Sequence, residues 1–455
     1  MSRIIPKLPA RWVGLFVPIL LCAAAICALA ASPAAKTRRI LYNLDGDSCM
    51  TLKVGRMFNF FTAREWAEPV EPPFEVLAQI GDAKALSASA NAGAVPLLAW
   101  QVTSPLDYQV VQRTRRESGT ILIAGTLTAG AALGDVLEAR LGSEAVNGRW
   151  RTLTTLARDQ SAFRSEWNAT AGGWHRLVLR VRRGQIVLTE TNIAHVGVGE
   201  VFVIAGQSNS ANHGEEKQSV KSGLVTSFSG RQWQIANDPQ PGASGGGGSF
   251  VPPFADALAE RFKVPIGIVA IGSGGTSVRE WLPRGTRFPN PPTVTNNVIG
   301  LASGEWESKG KLFDSLIGQI KPLGSRGFRA LLWHQGESDA NQDDPSRTLS
   351  GELYQKFLEQ LIRESRREAG WEFPWFVAQA SYHTPDDPGS PEIRAAQQAL
   401  WRSAVALEGP DTDALTGALR DGQGQGVHFS GPGLREHGRL WVEKVSPWLE
   451  QQLGR

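Results

Sequence analysis

Cysteine is scarce, with three in 455 residues, and two of them, Cys22 and Cys27, fall in the leading apolar segment. That leaves Cys49 alone, which excludes an internal disulfide and assigns stability to core packing. No activating pattern surrounds Cys49, so it reads as inert rather than nucleophilic. Acids are absent from residues 1–30, where Arg3, Lys7 and Arg11 precede an apolar run from Trp12 to Cys27 and the small-x-small Ala28-Leu29-Ala30. This is the pattern of a cleaved secretory signal and predicts a secreted or periplasmic protein. An uncleaved membrane anchor is the competing reading, disfavoured because the run is shorter than the ~20 residues of a spanning helix. No later apolar run approaches that length, so no stable membrane span is expected once the signal is removed.

Net charge is missing too. Removing residues 1–30 takes three bases from 47 and leaves 44 against 44 acids. A balanced body has no overall electrostatic reason to seek nucleic acid. Metal-ligand spacing is also lacking: the seven histidines include no His-Glu-x-x-His pair, so neither a metal nor another cofactor is expected. No internal repeat is visible. The four consecutive glycines within 242–249 lack the Gly-Lys-Ser/Thr ending of a phosphate loop and read as a mobile surface loop.

What is present, 42% hydrophobic residues and 15 tryptophans, is ample for two or three packed domains. Residues 1–30 form the signal. Residues 31–95 hold a Pro-rich and an Ala-rich stretch and read only as an accessory segment. Residues 96–198 carry short apolar or alternating runs, among them 108–111, 120–124, 174–181 and 186–189. They predict an antiparallel β-sandwich, either a carbohydrate-binding module or a structural brace.

From residue 199 to 455 strand and helix alternate. Apolar runs at 201–205, 265–271, 328–333 and 374–380 predict buried parallel strands, and helical spacing appears at 254–263, 310–320, 349–367, 393–407 and 433–453. That order predicts a three-layer, doubly wound α/β domain, whose ligands bind beyond the carboxyl ends of the strands.

Four segments follow strands or precede the last helix. Gly206-Gln207-Ser208-Asn209-Ser210 presents a serine at a strand-to-helix junction, as nucleophile or as helix cap. Gly272-Ser273-Gly274-Gly275-Thr276 can aim backbone amides at an oxyanion, or be a plain turn. Trp333-His334-Gln335-Gly336-Glu337-Ser338-Asp339 packs polar groups behind an apolar strand; Gln335 can donate to an oxyanion and Glu337 can hold charge beside an imidazole. In Asp421-Gly422-Gln423-Gly424-Gln425-Gly426-Val427-His428, the histidine suits a general base for Ser208.

Taken together, these segments resemble the four blocks of the SGNH hydrolases. Gly206-Gln207-Ser208-Asn209 with His334-Gln335-Gly336-Glu337-Ser338-Asp339 is similar to the sialate O-acetylesterase-like branch, carbohydrate esterase family 6 and its neighbours. The resemblance covers about residues 199–455. It implies a flavodoxin-like sheet, Ser208 as nucleophile, His428 as base, and an oxyanion hole of the Ser208 amide, a Gly274 or Gly275 amide and the Gln335 side chain. Two positions depart from the superfamily pattern: Gln335 replaces an asparagine, and Gln425 stands where many relatives place an aspartate. The acid supporting His428 must therefore come from elsewhere, with Glu337 first, by likeness to the branch, and Asp421 second. The expectation is a secreted serine esterase that removes acetyl groups from carbohydrate. Its rivals are a weakly active or inactive carbohydrate-binding protein and an esterase acting on acetylated lipid or peptidoglycan.

Overall fold

The computed structural model describes strand residues 50–54, 56–61 and 65–66, and residues 98–127, 131–143 and 148–454. The signal, Cys49 and most of the accessory segment lie outside the described residues. The chain divides into two compact units, Met1–Val95 and Pro96–Arg455. In the first, β1 (Met50–Val54), β2 (Arg56–Phe61) and β3 (Glu65–Trp66) form an antiparallel sheet.

The second unit begins with mostly antiparallel strands. β4 (Trp100–Ser104), β6 (Ser118–Leu127) and β9 (Ala162–Thr170) make one three-stranded sheet, while β5 (Gln109–Gln112), β7 (Val136–Gly142), β8 (Arg151–Thr155) and β10 (Gly172–Arg183) join the large sheet. In β6 buried and less buried residues alternate strictly, so Ile121, Ile123 and Leu127 share one face as the two-residue period of a strand requires.

β11 (Ile186–Gly206) links this region to the next in a single 21-residue strand, so the expected boundary at 198/199 lies inside a strand. Its first half pairs antiparallel with β10. Its second half lies parallel between β14 (Ile266–Ala270) and β18 (Ala330–His334). At the crossover the buried Glu200 carboxylate accepts from Arg113 Nε (2.6 Å), Arg329 Nε (2.6 Å) and Gln112 Nε2 (2.8 Å). A charge removed from water is tolerated when paired and hydrogen-bonded in this way.

The parallel part of the sheet runs β12 (Val225–Phe228), β14, β11, β18, β19 (Trp375–Gln379), β20 (Leu407–Asp411), with β13 (Trp233–Ile235) antiparallel at the β12 edge. Every residue of β14, β18 and β19 is buried, as a sheet covered on both faces demands. Val201, Val203 and Ala205 point into a core with α2 (Lys311–Ile320), α3 (Gly351–Ala369) and α4 (Pro391–Arg402). Phe202 and Ile204, one residue out of phase, enter the opposite core with α1 (Val251–Phe262) and α6 (Gly431–Gly454). In α3 the buried Tyr354, Phe357, Leu358, Leu361 and Ile362 follow the helical stripe; Ser350 caps its start and left-handed Gly370 its end. Among the described residues no helix is long and apolar enough to cross a membrane.

Three expectations shift. The helix expected over 393–407 stops at Arg402 because residues 407–411 form the edge strand β20. β12 and β13 were not anticipated from the sequence. The glycine-rich stretch 242–249 is held rather than loose: Ser244 N–H donates to Gly272 O (2.9 Å), Gly247 N–H to Asn212 O (2.8 Å), and Gly248 and Gly214 exchange two bonds.

Candidate active site

β11 ends at Gly206, where a Cβ would lie 2.0 Å from the His334 carbonyl oxygen, so a glycine is required for β18 to pass. The chain then turns through a 3-10 turn, Ser208–Ser210, at the carboxyl end of the central strand. Buried Gln207 staples this turn to the segment after β18, its Oε1 accepting from Ser338 N–H (3.0 Å), Gly336 N–H (3.4 Å) and Gln335 Nε2 (3.2 Å). Gly206 O accepts from Ser273 N–H (2.9 Å), which brings in the segment after β14. Ser208 is buried, and its Oγ makes no hydrogen bond among the described residues.

The fourth segment arrives from the one-turn helix α5 (Asp421–Gly424), in which Gly422 and Gln423 take left-handed dihedrals. Asp421 N–H donates to His428 O (2.9 Å) and His428 N–H to Asp421 Oδ1 (3.1 Å), so the two residues close a loop on themselves. The other carboxylate oxygen, Oδ2, lies 3.4 Å from His428 Nδ1. A Cβ at Gly426 would sit 1.8 Å from Asp421 Oδ1, so a larger residue there would push the carboxylate from its place. With Nδ1 turned to Asp421, the Nε2 edge of the imidazole has no hydrogen-bond partner among the described residues.

One amide joins nucleophile and base segments. Asn209 Nδ2, next in sequence to Ser208, donates to Val427 O (3.1 Å), next in sequence to His428, and to Glu337 Oε1 (2.9 Å). The four segments therefore meet at one place. Ser208 and His428 themselves are not hydrogen-bonded to each other.

Two expected roles do not match this geometry. Asp421, not Glu337, lies beside His428; the ring nitrogen paired with the Glu337 carboxylate is His334 Nδ1, 3.7 Å from Oε1. Gln335 is not a free oxyanion donor. It is fully buried, and its Nε2 donates to Asp339 Oδ2 (2.6 Å), with Thr276 O and Gln207 Oε1 each at 3.2 Å. Asp339 also accepts from Ser277 Oγ (2.5 Å) and Val278 N–H (2.9 Å) and pairs with buried Arg279 (3.3 Å), so Gln335 belongs to a crosslink between two of the segments. Of the glycine amides, Gly274 N–H is occupied by Ser244 Oγ (2.7 Å), whereas the Ser208 and Gly275 amides have no acceptor among the described residues.

Sequence reasoning missed Asn209 as a bridge and His213 altogether. The His213 ring stacks on His428 at 5.4 Å between centroids, and its Nε2 lies 3.1 Å from Ser244 Oγ. Burial, with the neighbouring His428 second, pushes the His213 pKa down, which favours the neutral form of this ring. Asn209 and His213, three and seven residues past the end of β11, carry no signal of their own. Burial likewise lowers His334 and lowers His437 well below the ordinary imidazole range; their rings lie 4.9 Å apart under the site.

Outside the base loop runs a groove of about 750 Å³, lined among others by Tyr382, Thr416, Gln423, Gln425 and Ser430. Its one lining cation, Arg420, is spent on the carbonyls of Leu415, Val427 and Thr412 and lies between the Tyr382 and Phe429 rings. Its one lining acid is Glu215.

Among comparisons with known proteins, one family model shows the family. No curated protein matches the sequence. Among solved structures, the chain is similar to a carbohydrate esterase family 2 enzyme plus carbohydrate binding domain from Corynascus thermopiles (Myceliophthora fergusii), with 11% identity over 78% of this chain and 100% of that one, TM-score 0.33. It is also similar to a Paenibacillus sp. cycloisomaltooligosaccharide glucanotransferase, with 8% identity, 64% and 46% of the two chains covered, TM-score 0.21. The family model for carbohydrate esterase, sialic acid-specific acetylesterase (SASA), matches residues 198–446, more than half of the chain and all four converging segments. With its serine turn and histidine loop joined through one buried amide, the chain belongs to the sialic acid-specific acetylesterase family of carbohydrate esterases.

Proposed function

We propose that the protein is an exported serine esterase that removes O-acetyl groups from a carbohydrate. The bridge from Asn209 to Val427 carries this reading, because it brings Ser208 and His428 to one site at the carboxyl end of the sheet. Ser208 Oγ attacks the acetyl carbonyl carbon as His428 Nε2 takes its proton. The Ser208 and Gly275 amides face the oxyanion that forms, and Asp421 holds the ring and stabilises the imidazolium. His428 returns the proton to the sugar oxygen as the ester C–O bond breaks, leaving acetyl on Ser208. Water, deprotonated by His428, then hydrolyses that ester to acetate. The Ser208 to His428 hydrogen bond forms with substrate bound; such bonds are often open in the free enzyme. The leading basic-then-apolar segment supports export.

The groove beside the base loop suits the sugar. Amide and hydroxyl side chains with one tyrosine ring match a polyhydroxy ligand, while Glu215 repels a carboxylate and Arg420 is buried and bonded to three carbonyls. Acetate release from acetylated neutral oligosaccharides and from O-acetylated sialic acid tests this. The wild type should release acetate with higher kcat/KM on the neutral glycans, and Ser208→Ala should abolish release from both. Release by Ser208→Ala at the wild-type rate would refute the esterase, and a preference for the sialate would refute the specificity.

A further inference from the structure

Glu337 stands in the segment after β18, is buried, and makes no hydrogen bond or ion pair with His428. Its Oε1 accepts one Asn209 N–H (2.9 Å), its Oε2 has no hydrogen-bond partner among the described residues, and its backbone carbonyl faces His383 Nε2 (2.6 Å), whose Nδ1 is held by Asp387 (2.6 Å). A primary amide nitrogen carries two hydrogens in one plane. Once Glu337 fixes one of them, the second is aimed at Val427 O, where it is found at 3.1 Å. Arg420 Nη1 meets the same carbonyl from another direction (2.8 Å), so the residue before His428 is pinned from two sides.

Resting on the esterase reading above, we propose that Glu337 is a positioning residue and not the acid of a Ser-His-acid triad. It orients the Asn209 amide, and through that amide it sets the spacing between the Ser208 turn and the His428 loop. Asp421 alone supports the imidazole. The two carboxylates divide the work: one needs only an acceptor oxygen, the other needs a charge.

That difference is measurable. A glutamine at 337 keeps an oxygen for Asn209 but loses the charge; an asparagine at 421 loses the charge on which His428 depends. Kinetics on 4-nitrophenyl acetate and on an acetylated glycan, from pH 5 to 9, should show Glu337→Gln within about tenfold of wild-type kcat, with the acidic limb of the kcat/KM profile unmoved. Asp421→Asn should lose about 10³-fold or more in kcat and shift that limb to lower pH. Asn209→Ala and Glu337→Ala should each cost kcat more than KM, and the double variant should be no worse than the poorer single, as expected of one shared interaction. If Glu337→Ala does not fold, the cycle is run with Glu337→Leu, which fills the space and offers Asn209 no acceptor. A loss of about 10³-fold with a displaced limb in Glu337→Gln, or fully additive losses, would overturn the proposal. Failure of the esterase reading shows separately, as wild-type turnover no higher than that of Ser208→Ala.

Discussion

At the scale of single residues, chemistry follows from what each polar atom has left to give. Gln335 has the residue type of an oxyanion donor, yet Asp339, four positions on, takes its amide at 2.6 Å. Gln335→Glu tests this directly, since the isosteric change sets a carboxylate against the Asp339 carboxylate and the Thr276 carbonyl in a buried place. The variant should lose about 3 kcal/mol of unfolding free energy in urea titrations, the scale of a buried charge left uncompensated. A variant as stable as wild type but inactive would restore Gln335 as a donor to substrate. Ser208, His428 and Asp421 were legible as candidates because serine, histidine and acid sit just beyond strands or just before a helix. The ranking of Glu337 above Asp421 was not, because sequence order cannot show which of two carboxylates reaches one ring. A loop of left-handed Gly422 and Gln423, closed by Gly426, decides that.

At the scale of elements, the 3-10 turn Val278–Trp281 holds the glycine-rich segment 272–276 in place. Its cap is reciprocal: Ser277 Oγ accepts from Arg279 N–H, and Glu280 Oε2 accepts from Ser277 N–H (2.9 Å). Glu280 is fully buried, and burial raises its pKa from 4.5 to about 7. The folded protein therefore binds this proton more tightly than the unfolded chain. The stabilisation is complete below pH 4.5 and lost as pH rises through about 7. His213, His334 and His437 act with the opposite sign: their lowered values give stability above pH 6.5 that is lost on acidification. Comparing Glu280→Gln with wild type isolates the first effect, since the histidines are common to both. The variant should gain on wild type by up to about 3 kcal/mol between pH 5 and pH 8, the free energy of the Glu280 shift, in urea unfolding at the two pH values. A pH-independent difference would show that Glu280 does not titrate abnormally. The parallel strands and the helices over them were readable as elements from apolar runs and helical stripes. β20 was not, because Leu407-Glu408-Gly409-Pro410-Asp411 has the composition of a turn and becomes a strand only by pairing with β19.

At the scale of the molecule, β11 is the feature that local patterning could not reveal. The change of texture near residue 198 reads as a module boundary, yet one continuous strand carries the chain from antiparallel pairing into the parallel sheet and delivers Ser208 at its end. Glu200, bonded to Arg113 and Arg329, ties strands from both regions at the point of transition. A lone acid between valine-rich runs gives no sign that its partners lie 87 and 129 residues away. Convergence of the four segments was an inference from their order beyond successive strands. The bonds from Gly206, Gln207 and Asn209 into the other three segments realise it.

The central claim is that Ser208 is the nucleophile and that His428 activates it. Labelling with a small organophosphate ester, followed by peptide mass spectrometry and by rate measurement in wild type and His428→Ala, tests both halves at once. The account predicts a single adduct on the peptide containing Ser208, with a labelling rate at least about 100-fold lower without the imidazole. An adduct on any other serine, or an undiminished rate in His428→Ala, would contradict it.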